Sequence, residues 1–152
     1  MYVVLLLWAK RYYECMELEQ EFMGKVVTKA IIEYGGKVLV VRDHEDDAVW
    51  ELPGGHININ ENTKQAIERE IKEELGVAIV AGQLIYSEQI IHKGNGLPHL
   101  FLMFAATLTN PSQPFMVPSK EIAEVKWIDK KSIKELRVYE ECERALEAFW
   151  KI

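Results

Sequence analysis

The chain has 152 residues, 49% of them hydrophobic and 28% charged, with a formal net charge of −6. That length buries enough surface for one self-sufficient core, so neither a disulfide framework nor a structural metal is needed for folding. The acidic balance argues against nucleic acid as a partner, because sequence-independent binding to phosphate backbones needs a basic surface.

The chain opens on an apolar run, Tyr2 to Ala9, followed by Lys10-Arg11. The run is too short to span a bilayer. Its positive charge follows the apolar stretch instead of preceding it, unlike a secretory signal. No membrane role is expected, and residues 1–24 read as an N-terminal extension, strand-like and then densely charged. Cys15 and Cys142 lie far apart and lack metal-ligand spacing. Two idle thiols in a reducing cytoplasm are the expectation.

The main domain is expected over 25–152. Residues 25–33 and 37–42 are rich in β-branched side chains, and Gly35-Gly36 between them predicts a hairpin turn. An acidic loop, His44 to Asp47, leads to a short strand at Trp50-Glu51-Leu52, which Pro53-Gly54-Gly55 stops. A loop from His56 to Asn62 precedes a helix predicted over Thr63 to Leu75, with Gly76 as its stop signal. Residues 77–92 read as strand, broken near Ser87. Gly94-Asn95-Gly96 is a turn, and Leu100 to Leu108 is a long apolar strand. The proline-bearing stretch Asn110 to Lys120 is a loop long enough to lie over a cleft. A last strand at Val125 to Ile128, a helical turn capped by Asp129 and a second helix from Tyr139 to Trp150 complete the chain. Strands, helix, strands, helix is the order of a mixed α/β sandwich, not of regular βαβ alternation.

The chemistry is concentrated in the first helix. Successive residues advance 100° around a helix axis. With Arg69 at 0°, Glu73 falls at about 40°, Glu70 at about 100° and Glu74 at about 140°, so three carboxylates share one arc. Ile71 and Leu75 fall on the adjoining apolar stripe, which places the carboxylates beside the core. Like charges at such spacing repel. Apart from Arg69, no protein cation is expected to match them. A divalent cation would relieve the repulsion, and all-oxygen ligands suit magnesium or manganese. The alternative is a solvated acidic face. The Pro-Gly-Gly turn before the helix and the glycine after it point away from that reading, because glycine lets backbone approach a ligand closely.

These residues carry a resemblance. The segment from Gly55 to Val77 resembles the Nudix box, G-x5-E-x7-R-E-U-x-E-E-x-G-U, with U a bulky apolar residue. Gly55, Glu61, Arg69, Glu70, Ile71, Glu73, Glu74, Gly76 and Val77 match every specified position. Trp50 to Gly55 resembles the usual lead-in, and Glu121 to Ile128 the family's late segment. The resemblance implies a Nudix fold, an α-β-α sandwich with a mixed β-sheet. It also implies hydrolysis of a nucleoside diphosphate linked to a further group, using Mg²⁺ or Mn²⁺. By position, Glu70, Glu73 and Glu74 are the implied metal ligands, helped by the Gly54 carbonyl. Arg69 orients them, Gly55 supports the turn, and Glu61 supports the loop by pairing with Arg69 or by binding metal through water. The implied proton acceptor is a box glutamate or a later carboxylate, and Glu121 is favoured over Glu124, which is expected to point outward with Lys126.

The substrate's variable group stays open. Trp50, Tyr86, Phe101 and Phe104 are candidates for holding a base, each against the alternative of a core position. No marker for ADP-ribose or dinucleoside polyphosphates follows the box, so a nucleoside triphosphate-type substrate, as in the MutT-like branch, is the default. An ADP-ribose, dinucleotide or nucleotide-sugar hydrolase, or a nucleotide-binding regulator without catalysis, is the alternative. The expected partner is a small nucleotide, with self-association into a homodimer left open.

Overall fold

The computed structural model describes residues 22–44, 48–116 and 121–151. Nearly all of the expected N-terminal extension, three residues of the acidic loop and the end of the proline-bearing loop lie outside these residues. Among the described residues the order is β1 (Lys25–Tyr34), β2 (Lys37–Asp43), β3 (Trp50–Glu51), α1 (Thr63–Leu75), β4 (Ile79–Ile91), β5 (Pro98–Leu108), β6 (Ile122–Ile128), a 3-10 turn (Ser132–Glu135) and α2 (Glu140–Phe149).

One mixed sheet organises the fold. Its strands run β3-β2-β1-β5-β4, and β6 pairs with β2. β1 is parallel to β5, with Val27 opposite Phe101 and Ile31 opposite Ala105. β4 and β5 are antiparallel, as are β2 and β6. The continuous burial of β1 from Val27 to Ile32 follows from its place inside the sheet, where both faces are covered.

The period of two sorts side chains between those faces. Val27 and Ile31 of β1, Phe101 and Met103 of β5, and Trp50 and Leu52 pack against Cys142, Ala145 and Leu146 of α2. Ala30 and Ile32 of β1, with Ala106 and Leu108 of β5, pack against Ile67, Ile71 and Leu75 of α1. Each of those three α1 side chains is fully buried, worth about 1.5–3 kcal/mol apiece. One helix therefore covers each face, which is the α-β-α sandwich expected.

Helix α1 begins where its caps dictate. Asn62 accepts from the Lys64 and Gln65 amides while the Gln65 side chain returns a bond to the Asn62 amide, a reciprocal cap that satisfies orphan donors. Gly76 ends the helix in the left-handed conformation, its amide donating to Lys72 O. The predicted break near Ser87 is misplaced. Ser87 pairs regularly with Leu102, and the register shifts fall between Ala81 and Leu84 and between Leu84 and Tyr86. Gly82 lies in the first of these, which fits a bulge at a glycine. β6 also starts earlier than expected, at Ile122, so Glu124 sits within the strand.

Candidate active site

Glycines position the helix carboxylates. Gly54 has φ of 131°, and a Cβ there would lie 2.3 Å from Thr28 O and 2.6 Å from the Ile67 side chain. A Cβ on Gly55 would lie 2.6 Å from the Glu70 carboxylate. At Gly54 only hydrogen lets the turn pass between β1 and α1, whereas a side chain at Gly55 would displace the Glu70 carboxylate. The turn is then stitched to β1, with Ala30 N donating to Pro53 O and Thr28 N to Gly55 O. It is also tied to α1, because the Gly54 amide donates to Glu74 Oε2 at 2.9 Å. Glu70, Glu73 and Glu74 thereby line one wall of a cleft of about 1270 Å³, with Lys29, Glu51, Gly54, Phe101 and Glu121 among its other lining residues.

Arg69 holds that wall together. Its guanidinium donates to Glu61 through Nε (3.0 Å) and Nη2 (2.7 Å). Nη1 donates to Glu70 at 2.8 Å and Glu73 at 3.1 Å, and Nη2 also reaches His56 O at 3.0 Å. The planar five-donor fork can serve several carboxylates at once, which a lysine cannot. Glu61 returns to the loop by accepting from Asn58 N at 2.6 Å. Its bonds to Arg69 and to that amide hold its carboxyl below the usual range. Of the two arrangements the resemblance implied for Glu61, the structure has the pairing with Arg69.

A second cation faces the cluster, contrary to the reading that Arg69 stood alone. Lys29 projects from the middle of β1, and its side chain is only 7% exposed. Its Nζ donates to Glu51 Oε2 at 2.6 Å and to Gly54 O at 3.0 Å. Burial opposes the lysine charge, yet Glu51 and Glu74 outweigh it and hold the ammonium above the usual lysine range. Glu74 responds in the other direction. Burial pushes its carboxyl up to about 7, with Lys29 and the Gly54 amide opposing the rise.

The carbonyl of Gly54 thus already carries Lys29. Among the described residues, no three His, Cys, Asp or Glu side chains converge as a ready cation site. Arg69 draws Glu70 and Glu73 to itself, and a backbone amide holds Glu74. The donor chemistry still fits a hard divalent ion: the three box residues offer carboxylate oxygens, those of Glu70 and Glu74 half-buried and those of Glu73 exposed.

The aromatic candidates separate. Phe101 lines the cleft. Trp50 is buried, with Arg42 and Lys126 over its ring, each 5.7 Å from the centroid. Phe104 is buried and Tyr86 half-buried, its hydroxyl bonded to Glu88. None of these three lines the cleft: Trp50 and Tyr86 pack in or against the cluster that holds Phe101, and Phe104 falls on the opposite phase of β5. Glu121 lies on the rim, and its carbonyl accepts from His44 N at 2.9 Å. Glu124 is exposed and pairs with Arg42 at 2.8 Å. Three histidines that the sequence reading passed over, His56, His92 and His99, also line the cleft.

A family model described as NUDIX domain matches residues 24–149. The chain belongs to the Nudix family. Among curated relatives, a stretch of 66 residues is 36% identical to "CTP pyrophosphohydrolase" of Escherichia coli K12, covering 41% of this chain and 49% of that one. "Phosphatase NudJ" of the same strain is 31% identical over 96 residues, 61% of this chain and 62% of that one. The chain thus spans about half to three-fifths of these relatives' length. A MutT protein of Methanosarcina mazei Go1 shares the fold with a TM-score of 0.73 at 22% identity, covering 88% of this chain and 97% of that one. A MutT Nudix hydrolase from Burkholderia pseudomallei gives 0.70 at 25% identity, covering 83% and 98%. No helix of the described residues is long and apolar enough to cross a membrane.

Proposed function

We propose that residues 25–152 form a hydrolase of nucleoside diphosphate derivatives, with residues 1–24 an extension to it. The preferred substrate class is a nucleoside triphosphate. One observation carries this reading: Glu70, Glu73 and Glu74 share a wall of a single large cleft with the glycine turn that precedes their helix. The printed name of the Escherichia coli relative, "CTP pyrophosphohydrolase", supports the triphosphate preference.

Glu70, Glu73 and Glu74 would hold Mg²⁺ or Mn²⁺. When bound, that ion supplies charge neutralisation at the phosphates and lowers the pKa of water. Arg69 orients the carboxylates and, through Glu61 and His56 O, fixes the loop against α1. Lys29 keeps the Gly54 turn closed on β1 and moderates the negative potential where polyphosphate would lie. Glu121, on the cleft rim, is the proposed proton acceptor for the attacking water. Glu74 is the second reading for that role, favoured by a carboxyl raised to about 7, the range in which a general base works best near neutral pH. Water attack on phosphorus then needs no covalent nucleophile. Cys142 fits that: burial pushes its thiol up to about 12, and it packs in the core. A free, buried thiol also supports a cytoplasmic setting.

The test is a turnover screen with Mg²⁺ or Mn²⁺ over nucleoside di- and triphosphates, nucleotide sugars, ADP-ribose, dinucleotides and capped RNA. Release of phosphate or pyrophosphate from a triphosphate is expected. Preferential cleavage of ADP-ribose or a nucleotide sugar would move the assignment to another branch, and binding without turnover would mark a regulator.

A further inference from the structure

His99 is a polar side chain placed where the core would accept a phenyl ring. It lies on β5, two residues before Phe101 and on the same face, and only 4% of it is exposed. Its Nε2 is buried and finds no hydrogen-bond partner among the described residues. A buried, unpaired polar atom opposes folding, and one that borders a ligand cavity has an evident reason to persist.

Two more imidazoles surround it. His92 stacks on His99 with ring centroids 4.6 Å apart and an interplanar angle of 21°. His56 meets it edge-on at 5.8 Å. Phe101 follows at 6.2 Å. All four rings line the cleft, together with Val27 and Ile90. His56 stands next to Gly55, so this wall adjoins the box carboxylates. Its backbone bridges to Val27, which fixes the ring's approach. His92 Nδ1 accepts from the Gly94 amide at 3.2 Å, so in the neutral ring the proton sits on Nε2.

The wall is therefore aromatic, with one stacked and one edge-on imidazole about His99 and isolated hydrogen-bonding atoms. The four rings carry no guanidinium fork of the kind that grips phosphate, although Lys93, next to His92 in sequence, also lines the cleft and Lys25 lies opposite His99 in the sheet register. Burial, the neighbouring histidines and the Lys25 charge hold His99 below the usual histidine range. A planar heterocycle with polar edge atoms fits such a surface, because stacked rings and single hydrogen-bonding atoms match its faces and its edge.

We propose that the wall formed by His99, His92, His56 and Phe101 is the nucleobase subsite of this cleft, with His99 Nε2 bonding to the base edge. The assignment rests on the reading of the cleft as a nucleotide site and adds which end holds the base. Phe101 is the only one of the four aromatic candidates from the sequence that belongs to this subsite.

The experiment measures binding and KM for ATP, GTP, CTP, UTP and inorganic tripolyphosphate with Mg²⁺, in wild type, His99→Phe and His92→Ala. His99→Phe keeps a planar aromatic ring, slightly larger, and removes the unpaired nitrogen, so its Tm should equal or exceed that of wild type. His92 is exposed, so its removal spares the core. Wild type should bind its preferred triphosphate at least about tenfold tighter than tripolyphosphate, which has no base. His99→Phe should lose roughly tenfold of the preference among bases, and His92→Ala a smaller part through lost stacking, with tripolyphosphate unaffected. A folded His99→Phe protein that retains the wild-type base preference would overturn the subsite. So would a loss of affinity for tripolyphosphate equal to that for the nucleotides. If wild type binds none of the five probes, the nucleotide reading of the cleft falls, and the subsite with it.

Discussion

The ammonium of Lys29 lies 2.6 Å from the carboxylate of Glu51, with side-chain exposures of 7% and 22%. The pair spans β1 and β3, and the same Nζ holds Gly54 O. It is a structural joint directly beneath the carboxylate wall. Lys29→Met should cost about 3 kcal/mol, because it strands Glu51 and Glu74 without their cation. Lys29→Met/Glu51→Gln should recover part of that loss. Urea denaturation at pH 7 without divalent ions measures both. Equal stability of Lys29→Met and wild type would mean the pair is energetically idle.

Glu74 gives the cation-free protein a pH signature. Its carboxyl is protonated up to about pH 7 when folded, and it ionises near 4.5 when unfolded. Between those values the folded state binds more protons, so folding stability falls as pH rises. At about 1.4 kcal/mol per pKa unit the loss approaches 3 kcal/mol by pH 8. Glu74→Gln should flatten that stretch of the stability profile and be more stable than wild type at pH 8. Chemical denaturation from pH 4 to 8 decides it. A wild-type profile that Glu74→Gln leaves unchanged would remove Glu74 as its source.

The sequence made the box legible because its positions are local. The spacing of Glu70, Glu73 and Glu74 on one helix depends only on the 3.6-residue turn, and Asn62 and Gly76 mark that helix's ends. Partners distant in sequence were harder to read. Lys29 meets Glu51 and Gly54 only after β1, β3 and the glycine turn have assembled. A lysine amid Val26-Val27-Thr28 and Ala30-Ile31-Ile32 was the available signal, since a charge inside a central strand needs a partner. The histidine wall is likewise non-local: His56, His92 and His99 come from a loop, a strand end and β5. Aromatic content alone could not separate Phe101 from Trp50 and Phe104, because all three are buried. The alternation along β5 separates Phe104 from Phe101, whereas Trp50 packs in the same cluster as Phe101 and differs only in not lining the cleft.

Arg69 ties together Glu61, Glu70, Glu73 and His56 O. Its effect on turnover should be indirect, through carboxylate and loop position. Arg69→Lys should lower kcat by about 10–100-fold, the usual scale for groups that orient ligands. Because Arg69 is partly exposed, the variant should remain folded, with Tm within a few degrees of wild type. Steady-state kinetics with circular dichroism would settle this, and wild-type kcat in Arg69→Lys would contradict the orienting role.

Glu121 and Glu74 can be separated as proton acceptors. Glu121→Gln should reduce turnover at saturating substrate by about 10²-fold or more while leaving calorimetric Mn²⁺ binding intact. Glu70→Gln should weaken both. If Glu121→Gln keeps the wild-type rate while Glu74→Gln loses it, the acceptor lies in the box.

The most direct measurement is turnover of the best nucleotide from the screen, with Mg²⁺ and with excess chelator, by wild type and Glu73→Gln. Glu73 is largely exposed, 62% by side chain, so its replacement leaves the core undisturbed. Wild type should hydrolyse the nucleotide with Mg²⁺ and stop in chelator, and Glu73→Gln should fall by about 10²–10³-fold at unchanged Tm. Full activity in chelator, or a wild-type rate in Glu73→Gln, would contradict the assignment of this cleft as a cation-dependent hydrolytic site.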